Sequence, residues 1–356
     1  MSRPISARID TSALRHNLHV IRQHSRGART MAVVKANAYG HGLLTVITAL
    51  DEADGFAVAS IDEALQIRQT GWTKPVLLLE GIFSEDELPL CRQHRLSMVV
   101  HNRQQLDFLQ QAGSEPLPPL FLKLNSGMNR LGFTPADFGS ALHSLRQLPS
   151  ITEINLTSHF ATADEPSGIH QQMQVINSAF AGLAYPRSLA NSAAIFRYPD
   201  SHADWVRPGI ALYGASPFPD CTGPQLGLRP AMTLTSRIIA VQTLQTGDAL
   251  GYGQLWLADR PSRVGIVACG YADGYPRHAT TGTPIWIAGH TTRTLGRVSM
   301  DMLFADLTDL PATVGLGSEV VLWGEQLPVE QVARTAGTIS YELLCARAPR
   351  VNPTIV

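Results

Sequence analysis

Residues 31–42 read MAVVKANAYGHG, an apolar run (Met31-Ala32-Val33-Val34) that ends abruptly on Lys35 and a Gly-rich turn. A short run that is apolar throughout fits a strand buried on both faces. Further strand candidates lie at Gly55–Ser60, Pro75–Gly81, Leu96–His101, Leu117–Asn125, Thr152–Phe160, Arg187–Ser192 and Ala203–Gly209. With Met31–Lys35 that makes eight. Between them lie helix-patterned segments, among them Ile61–Thr70, Ser84–His94, Asn102–Ala112 and His170–Ala184, often with Asp, Ser or Asn where an N-cap belongs. Eight strands alternating with helices over about 200 residues is the cadence of a (β/α)8 barrel. An open doubly wound sheet alternates too, but the count of eight favours the barrel.

After Tyr213 the pattern breaks. Ser216–Pro230 (SPFPDCTGPQLGLRP) is rich in Pro and Gly and reads as a linker. Beyond it, Met232–Gln242, Arg263–Cys269, Pro284–Ala288, Thr292–Leu295, Met302–Leu307 and Glu319–Trp323 are short β-type runs, followed by a helix near Val329–Ala336. The chain is therefore expected to be α/β, with a barrel over residues 1–225 and a smaller, mainly antiparallel β domain over 226–356.

Bulk properties narrow the function. At 44% apolar and 16% charged residues the chain is globular, and a net charge of −1 makes no electrostatic case for nucleic acid or an anionic membrane. Cys91, Cys221, Cys269 and Cys345 are far apart, MSRPISARID is not a secretory signal, and no apolar stretch reaches membrane-spanning length, so a reduced cytoplasmic enzyme is expected. HExxH, the P-loop and GxGxxG are all absent, which leaves no expectation of a metal or a dinucleotide.

Lys35 stands out by composition. The chain holds 25 Arg but three Lys: Lys35, Lys74 and Lys123. An amine can lose its proton and attack a carbonyl, whereas a guanidinium stays charged. A lone lysine closing a strand is ordinarily a snorkelling surface residue. Here Glu80, His101, Lys123, His159, Ser192 and Arg207 also fall at or near the carboxyl ends of predicted strands, and in a barrel those ends meet on the face that carries the active site. Such a lysine suits a Schiff base with an aldehyde, notably that of pyridoxal phosphate.

The segment MAVVKANAYGHG resembles the cofactor-attachment segment of the alanine racemase family. The resemblance continues through LKLNSGMNRLGF (Leu122–Phe133), SHFATAD (Ser158–Asp164), ANSAA (Ala190–Ala194), DWVRPGIALYG (Asp204–Gly214), GYG (Gly251–Gly253), GYADGYPR (Gly270–Arg277), VSMDM (Val298–Met302) and TISYELLC (Thr338–Cys345), in the family's order. It implies a pyridoxal-phosphate enzyme that interconverts L- and D-alanine on a barrel followed by a β domain. Racemisation needs acid/base groups on both faces of a planar adduct. By resemblance Lys35 serves one face and Tyr252 the other, Tyr252 being assisted by His159 and Arg207. An unperturbed phenol near pKa 10 is otherwise a poor base.

The resemblance further implies that Arg207 faces the cofactor's pyridine nitrogen, which weakens the electron sink and disfavours transamination. Taken alone, Arg207 would read as a surface ion pair with Asp204. Ser192 with the Gly209 and Ile210 amides would cradle the phosphate, and the hydroxyls of Tyr39 and Tyr341 would close it. Arg130, Met300, Tyr271 and Asp301 would serve the substrate, and Lys123 matches a lysine that is carbamylated in many relatives. The family works as a homodimer with shared sites, so Tyr252, Tyr271, Met300 and Asp301 would come from a second copy. Racemisation is reversible, so the residues do not choose between wall-precursor synthesis and alanine catabolism, and serine is one oxygen larger than alanine. A decarboxylase on the same barrel needs no second base at Tyr252, and a non-catalytic cofactor carrier would end near the barrel. Trp256 and Arg347 depart from the family pattern.

Overall fold

The chain opens with a strand, β1 (Ser6–Ile9), and a helix, Thr11–His24, and continues through β2 (Arg29–Val33), β3 (Gly55–Val58), β4 (Val76–Leu78), β5 (Leu96–Val100), β6 (Leu120–Lys123), β7 (Ile154–Thr157), β8 (Arg187–Ser188) and β9 (Trp205–Val206). In the computed structural model, which describes residues 3–25 and 27–356, β2 to β9 pair in sequence order and close into a parallel barrel. β3, β4, β5 and β7 are buried at every position, and β3 and β4 accordingly read as unbroken apolar runs, whereas β5 and β7 bury Ser97, Asn155 and Thr157 as well. The intervening helices start where capping chemistry allows. Ser60, Asn102, Thr134 and Asn191 each accept a hydrogen bond from the backbone N–H three residues on.

The strands are shorter than their apolar runs. β9 stops at Val206, two residues before Pro208, which has no N–H to offer a ladder. Lys35 lies beyond β2, not within it. There Ala36, Asn37, Ala38 and Tyr39 take φ of 55°, 52°, 52° and 51°, one turn of left-handed helix built from residues with a Cβ. Each such residue costs about 1–2 kcal/mol, so neighbours must hold the turn. Ala36 N–H donates to Glu63 Oε1 (2.7 Å), Ala38 N–H to Val34 O (2.9 Å), and Leu43 N–H to Asn37 Oδ1 (2.8 Å).

The chain divides into two compact units. The barrel unit holds Leu18–Ala38 and Leu43–Leu212; the sheet unit holds Met1–Asn17, Tyr39–Gly42 and Tyr213–Val356. In the sheet unit, β10 (Met232–Leu244), β11 (Ala249–Leu250), β12 (Trp256–Leu257), β13 (Ser262–Val267), β14 (Pro284–Ile287), β15 (His290–Leu295), β16 (Leu303–Asp306), β17 (Glu319–Trp323) and β18 (Pro353–Ile355) follow in turn. The main sheet runs β13-β16-β15-β14-β17-β10-β1-β18 and is antiparallel except at β1–β18. β10 serves both ends. Its first half pairs with β1 and β17, and beyond a register shift at Ile238/Ala240 its second half pairs with β13. Alternating burial along β14 and β16 marks one face on the core.

Ser216–Pro230 is not a free linker. Ser216 and Gly223 donate their N–H groups to the buried carboxylate of Glu330 at 2.7 and 2.8 Å, so this Pro/Gly segment is folded onto the sheet unit. A carboxylate that satisfies two backbone donors makes its turns part of the core.

Candidate active site

In the barrel unit the polar residues flagged by sequence cluster at the strand ends. Lys123 closes β6, His101 and Arg207 follow β5 and β9 directly, Glu80 and His159 come two residues after β4 and β7, and Lys35 two after β2. Ser192 begins the helix Ser192–Arg197. Val33 N–H donates to Pro208 O (2.9 Å), tying the strand before Lys35 to the residue after Arg207.

Arg207 is buried at 6% exposure without a carboxylate partner among the described residues. Asp204 instead accepts from Arg187 N–H at 2.7 Å. The guanidinium is held by the barrel itself. Nη1 donates to Ser188 O (2.6 Å), Ser188 Oγ (2.7 Å) and Thr157 Oγ1 (3.2 Å), and Nη2 to Ser158 O (2.6 Å), Leu189 O (3.3 Å) and His159 Nδ1 (3.4 Å). Nε alone has no acceptor among the described residues. Burial draws the guanidinium down to about 10, so it keeps its proton at neutral pH. The site thus presents one fixed N–H that does not ionise. The anchoring hydroxyls of Thr157 and Ser188 were not singled out by sequence, because Ser and Thr near strand ends are too common to carry a signal.

Because arginine only donates, His159 Nδ1 must accept, which places the imidazole proton on Nε2. Burial, reinforced by Arg207, Lys123, Arg130 and Lys35, holds His159 well below the usual imidazole range. Gln172 fixes the adjoining backbone by donating to His159 O (3.1 Å) and accepting from Ala161 N–H (2.7 Å). We predict that the His159 ring titrates well below its ordinary value of 6.5. As pH falls through that value the unfolded chain takes up the proton first, so the folded state loses stability. His159→Gln should lessen that acid loss. Imidazole NMR showing a His159 pKa at or above 6.5 would overturn the assignment.

Lys123 is pulled down to about 8 by burial first, then by Arg207, Arg130 and Lys35, with Glu80 opposing. Four cations therefore crowd the barrel mouth, an arrangement that favours anionic ligands. Lys123, Arg130 and His159 line one recess with Asn125, Ser126 and Met128. The loop carrying Arg130 is pinned by Asn125, whose Oδ1 accepts from Gly127 N–H and Asn129 N–H at 3.1 and 3.0 Å. Ser192 Oγ accepts from Gly209 N–H (2.9 Å), which brings together two of the residues expected at a phosphate, with Ile210 next in the chain.

The remaining predicted residues lie in the sheet unit. Tyr252 stands in the loop between β11 and β12 and is 72% exposed. Gly251 beside it has φ +69°, and a Cβ there would meet the Phe304 ring at 2.7 Å, so the loop rests on Phe304 and on Trp256, which packs over Leu250, Val264 and Leu295. Tyr271 N–H donates to Ser299 O (3.1 Å) and Ala272 N–H to Met300 O (3.0 Å), which gathers Tyr271, Met300 and Asp301. The N–H of Met300 itself meets no acceptor among the described residues, and that residue is 53% exposed. Asp273, fully buried, braces this corner. Arg3 and Arg350 donate to it at 3.0 and 2.7 Å, and Arg350 reaches Asp301 at 2.7 Å. Neither arginine nor Asp273 was singled out by sequence, since the bracing joins the two ends of the chain. Tyr39 and Tyr341 also meet in this unit, with ring centroids 6.1 Å apart.

Profiles of the alanine racemase N-terminal and C-terminal domains match residues 9–217 and 231–355. The alanine racemase of Nitrosomonas europaea is 57% identical to this chain, covering 99% of it and 98% of the relative. The catabolic alanine racemase of Klebsiella aerogenes is 51% identical over 99% of each. Among solved structures, the biosynthetic alanine racemase of Pseudomonas aeruginosa superposes with a TM-score of 0.96 at 46% identity, covering 99% of both chains.

Proposed function

This chain belongs to the alanine racemase family, and from that premise we propose that it racemises alanine with pyridoxal phosphate, Lys35 and Tyr252 serving as acid/base groups on opposite faces of the substrate. The observation that carries this reading is Arg207, whose two terminal nitrogens are consumed by the barrel while its Nε–H is left for a ligand. A decarboxylase on this barrel generally keeps an acidic partner at that position, and Arg207 argues against one.

The residues fit the cofactor. Lys35 supplies an amine, Arg207 a donor for a ring nitrogen, and Ser192, Gly209 and Ile210 polar groups for a dianion. Bound there, pyridoxal phosphate supplies the electron sink that acidifies the Cα–H. Lys35 moves a proton on one face of Cα. Tyr252 does so on the other and comes from a second copy of the chain, a reading its exposure supports. The free Met300 N–H and the Arg130 guanidinium meet the substrate carboxylate, while Tyr271 and Asp301 wall the approach. His159 stays neutral and relays charge between Arg207 and the phenol. A cytoplasmic location belongs to the same reading.

Lys123 is the site for carbamylation. An amine drawn down to about 8 has a sizeable neutral fraction in mildly alkaline buffer, and a neutral amine adds carbon dioxide. The resulting anion would turn a repelling neighbour of Arg130 into its partner. Enzyme equilibrated with 13C-bicarbonate should show a carbamate resonance that Lys123→Arg lacks, and a spectrum unchanged by the substitution would sink the idea.

The function is tested by reconstitution with pyridoxal phosphate and a coupled assay of both alanine enantiomers, with serine in parallel. Interconversion of alanine is the expected result, with serine slower because a pocket fitted to a methyl discriminates against one more heavy atom by roughly 10–200-fold. Release of carbon dioxide from an amino acid without interconversion would overturn the reading.

A further inference from the structure

The left-handed turn after Lys35 ends in the sheet unit, and there Arg347 holds it. Arg347 Nε donates to Gly40 O (2.6 Å), and its Nη1 donates to Val351 O (2.6 Å). The arginine sits on a fixed base. Ala348 N–H donates to Asp273 O (3.2 Å), Arg350 bonds to the buried Asp273 at 2.7 Å, and a Cβ on Gly274 would lie 3.0 Å from Arg347 Cα. Gly40 is held at close quarters as well. Its φ is +78°, and a Cβ there would sit 2.1 Å from Leu344 O, so no other residue fits. Tyr39, one residue before it, stacks on Tyr213 with ring centroids 4.7 Å apart.

We propose that Arg347 is a positioning residue for Lys35: by gripping the Gly40 carbonyl it fixes the far end of the left-handed turn whose near end carries the reacting amine. Ala36, Ala38 and Tyr39 hold a backbone conformation that side chains with a Cβ disfavour, so the turn persists only while both ends are restrained. Glu63 restrains the Lys35 end, Asn37 ties the middle of the turn to Leu43 beyond it, and Arg347 holds the Gly40 carbonyl. The planar fork explains why arginine is needed. It reaches two carbonyls through separate nitrogens of one rigid plane, a span that the single nitrogen of an ammonium on a flexible stem does not reproduce. The effect on turnover rests on the racemase reading given above; the restraint on the turn does not.

The test compares Arg347→Leu and Arg347→Lys with the natural chain, each loaded with pyridoxal phosphate, by hydrogen exchange and by steady-state kinetics. The amides of Ala36, Ala38 and Leu43 carry the hydrogen bonds that hold the turn, to Glu63, Val34 and Asn37, so they report its opening. Losing a charge-assisted bond should speed exchange across residues 35–43 by about tenfold in Arg347→Leu, with Arg347→Lys in between and the rest of the sheet unit unchanged. The kcat for alanine should fall about fivefold with KM within about twofold, since a misplaced base slows chemistry and leaves carboxylate binding intact. Wild-type exchange across 35–43 in Arg347→Leu overturns the proposal, as does faster exchange spread over the whole sheet unit, which marks a merely structural arginine. If the exchange pattern appears but the natural chain turns over no alanine, the racemase reading fails and the restraint stands.

Discussion

Lys35→Ala should lose racemisation by about ten-thousandfold or more and, with it, the absorbance band of pyridoxal phosphate held on a lysine. Two losses combine in this one substitution. The cofactor loses its anchoring amine, and the substrate loses the group that exchanges a proton on one face, a contribution of roughly 10²–10⁴ by itself. The composition of the chain makes the outcome easy to read, because two other lysines remain. Lys74 donates to Asp51 O and Ala53 O at 2.8 and 2.9 Å and lies over the Trp72 ring, so its amine is spoken for. Lys123 is then the competing amine, and a retained band that vanishes in the Lys35→Ala/Lys123→Arg double variant would transfer the cofactor to Lys123. Lys35→Arg should fail as completely as alanine, since it keeps the charge without an amine that deprotonates.

Tyr252→Phe should keep the cofactor band and cost about 10²–10⁴ in turnover, the usual range for one positioned acid/base group. The loss is expected to be one-sided. In isotope-exchange half-reactions, proton abstraction from L-alanine should fall and abstraction from D-alanine should be largely kept, because Lys35 serves the opposite face. Equal losses with the two enantiomers would remove Tyr252 from the mechanism. The exposure of this phenol, 72%, leads to a second experiment. If Tyr252 works in the active site of a second copy, Lys35→Ala and Tyr252→Phe chains, each inactive alone, should recover activity when mixed. Random reassortment makes half the dimers mixed, and each mixed dimer has one intact site, so recovery should approach about a quarter of the natural enzyme. No recovery, with mixed dimers demonstrably formed, would place Tyr252 in the site of its own chain.

The barrel was legible because several of its parallel strands are buried on both faces, and short runs such as Phe56-Ala57-Val58 and Val76-Leu77-Leu78 therefore carry no polar interruption. The helix starts were legible for a local reason, since Ser60, Asn102 and Asn191 cap within three residues of themselves. Strand ends were less so. Lys35 reads as the last residue of a strand, but the chain leaves the sheet after Val33 and turns left-handed, a conformation that Ala36 and Ala38 give no hint of. Ser216–Pro230 reads as a linker because Pro and Gly mark turns whether or not the turns are buried. The buried partner that decides the matter, Glu330, is more than a hundred residues away.

The amino-acid order by itself determined the barrel, the sheet that follows it, and the residue types gathered at the strand ends: a scarce amine at Lys35, a guanidinium at Arg207, a histidine at His159. Each of these depends on local pattern or on the sequence of motifs, and both survive in one dimension. The tertiary structure alone decided how those groups are held. It bound the two terminal nitrogens of Arg207 to Thr157, Ser158, Ser188 and Leu189 and left Nε–H free, it joined β1 to β10 although more than two hundred residues separate them in the chain, and it set Arg347 against Gly40. These contacts join residues far apart in the chain, where no periodicity links them, and they exist only once burial has brought the segments together.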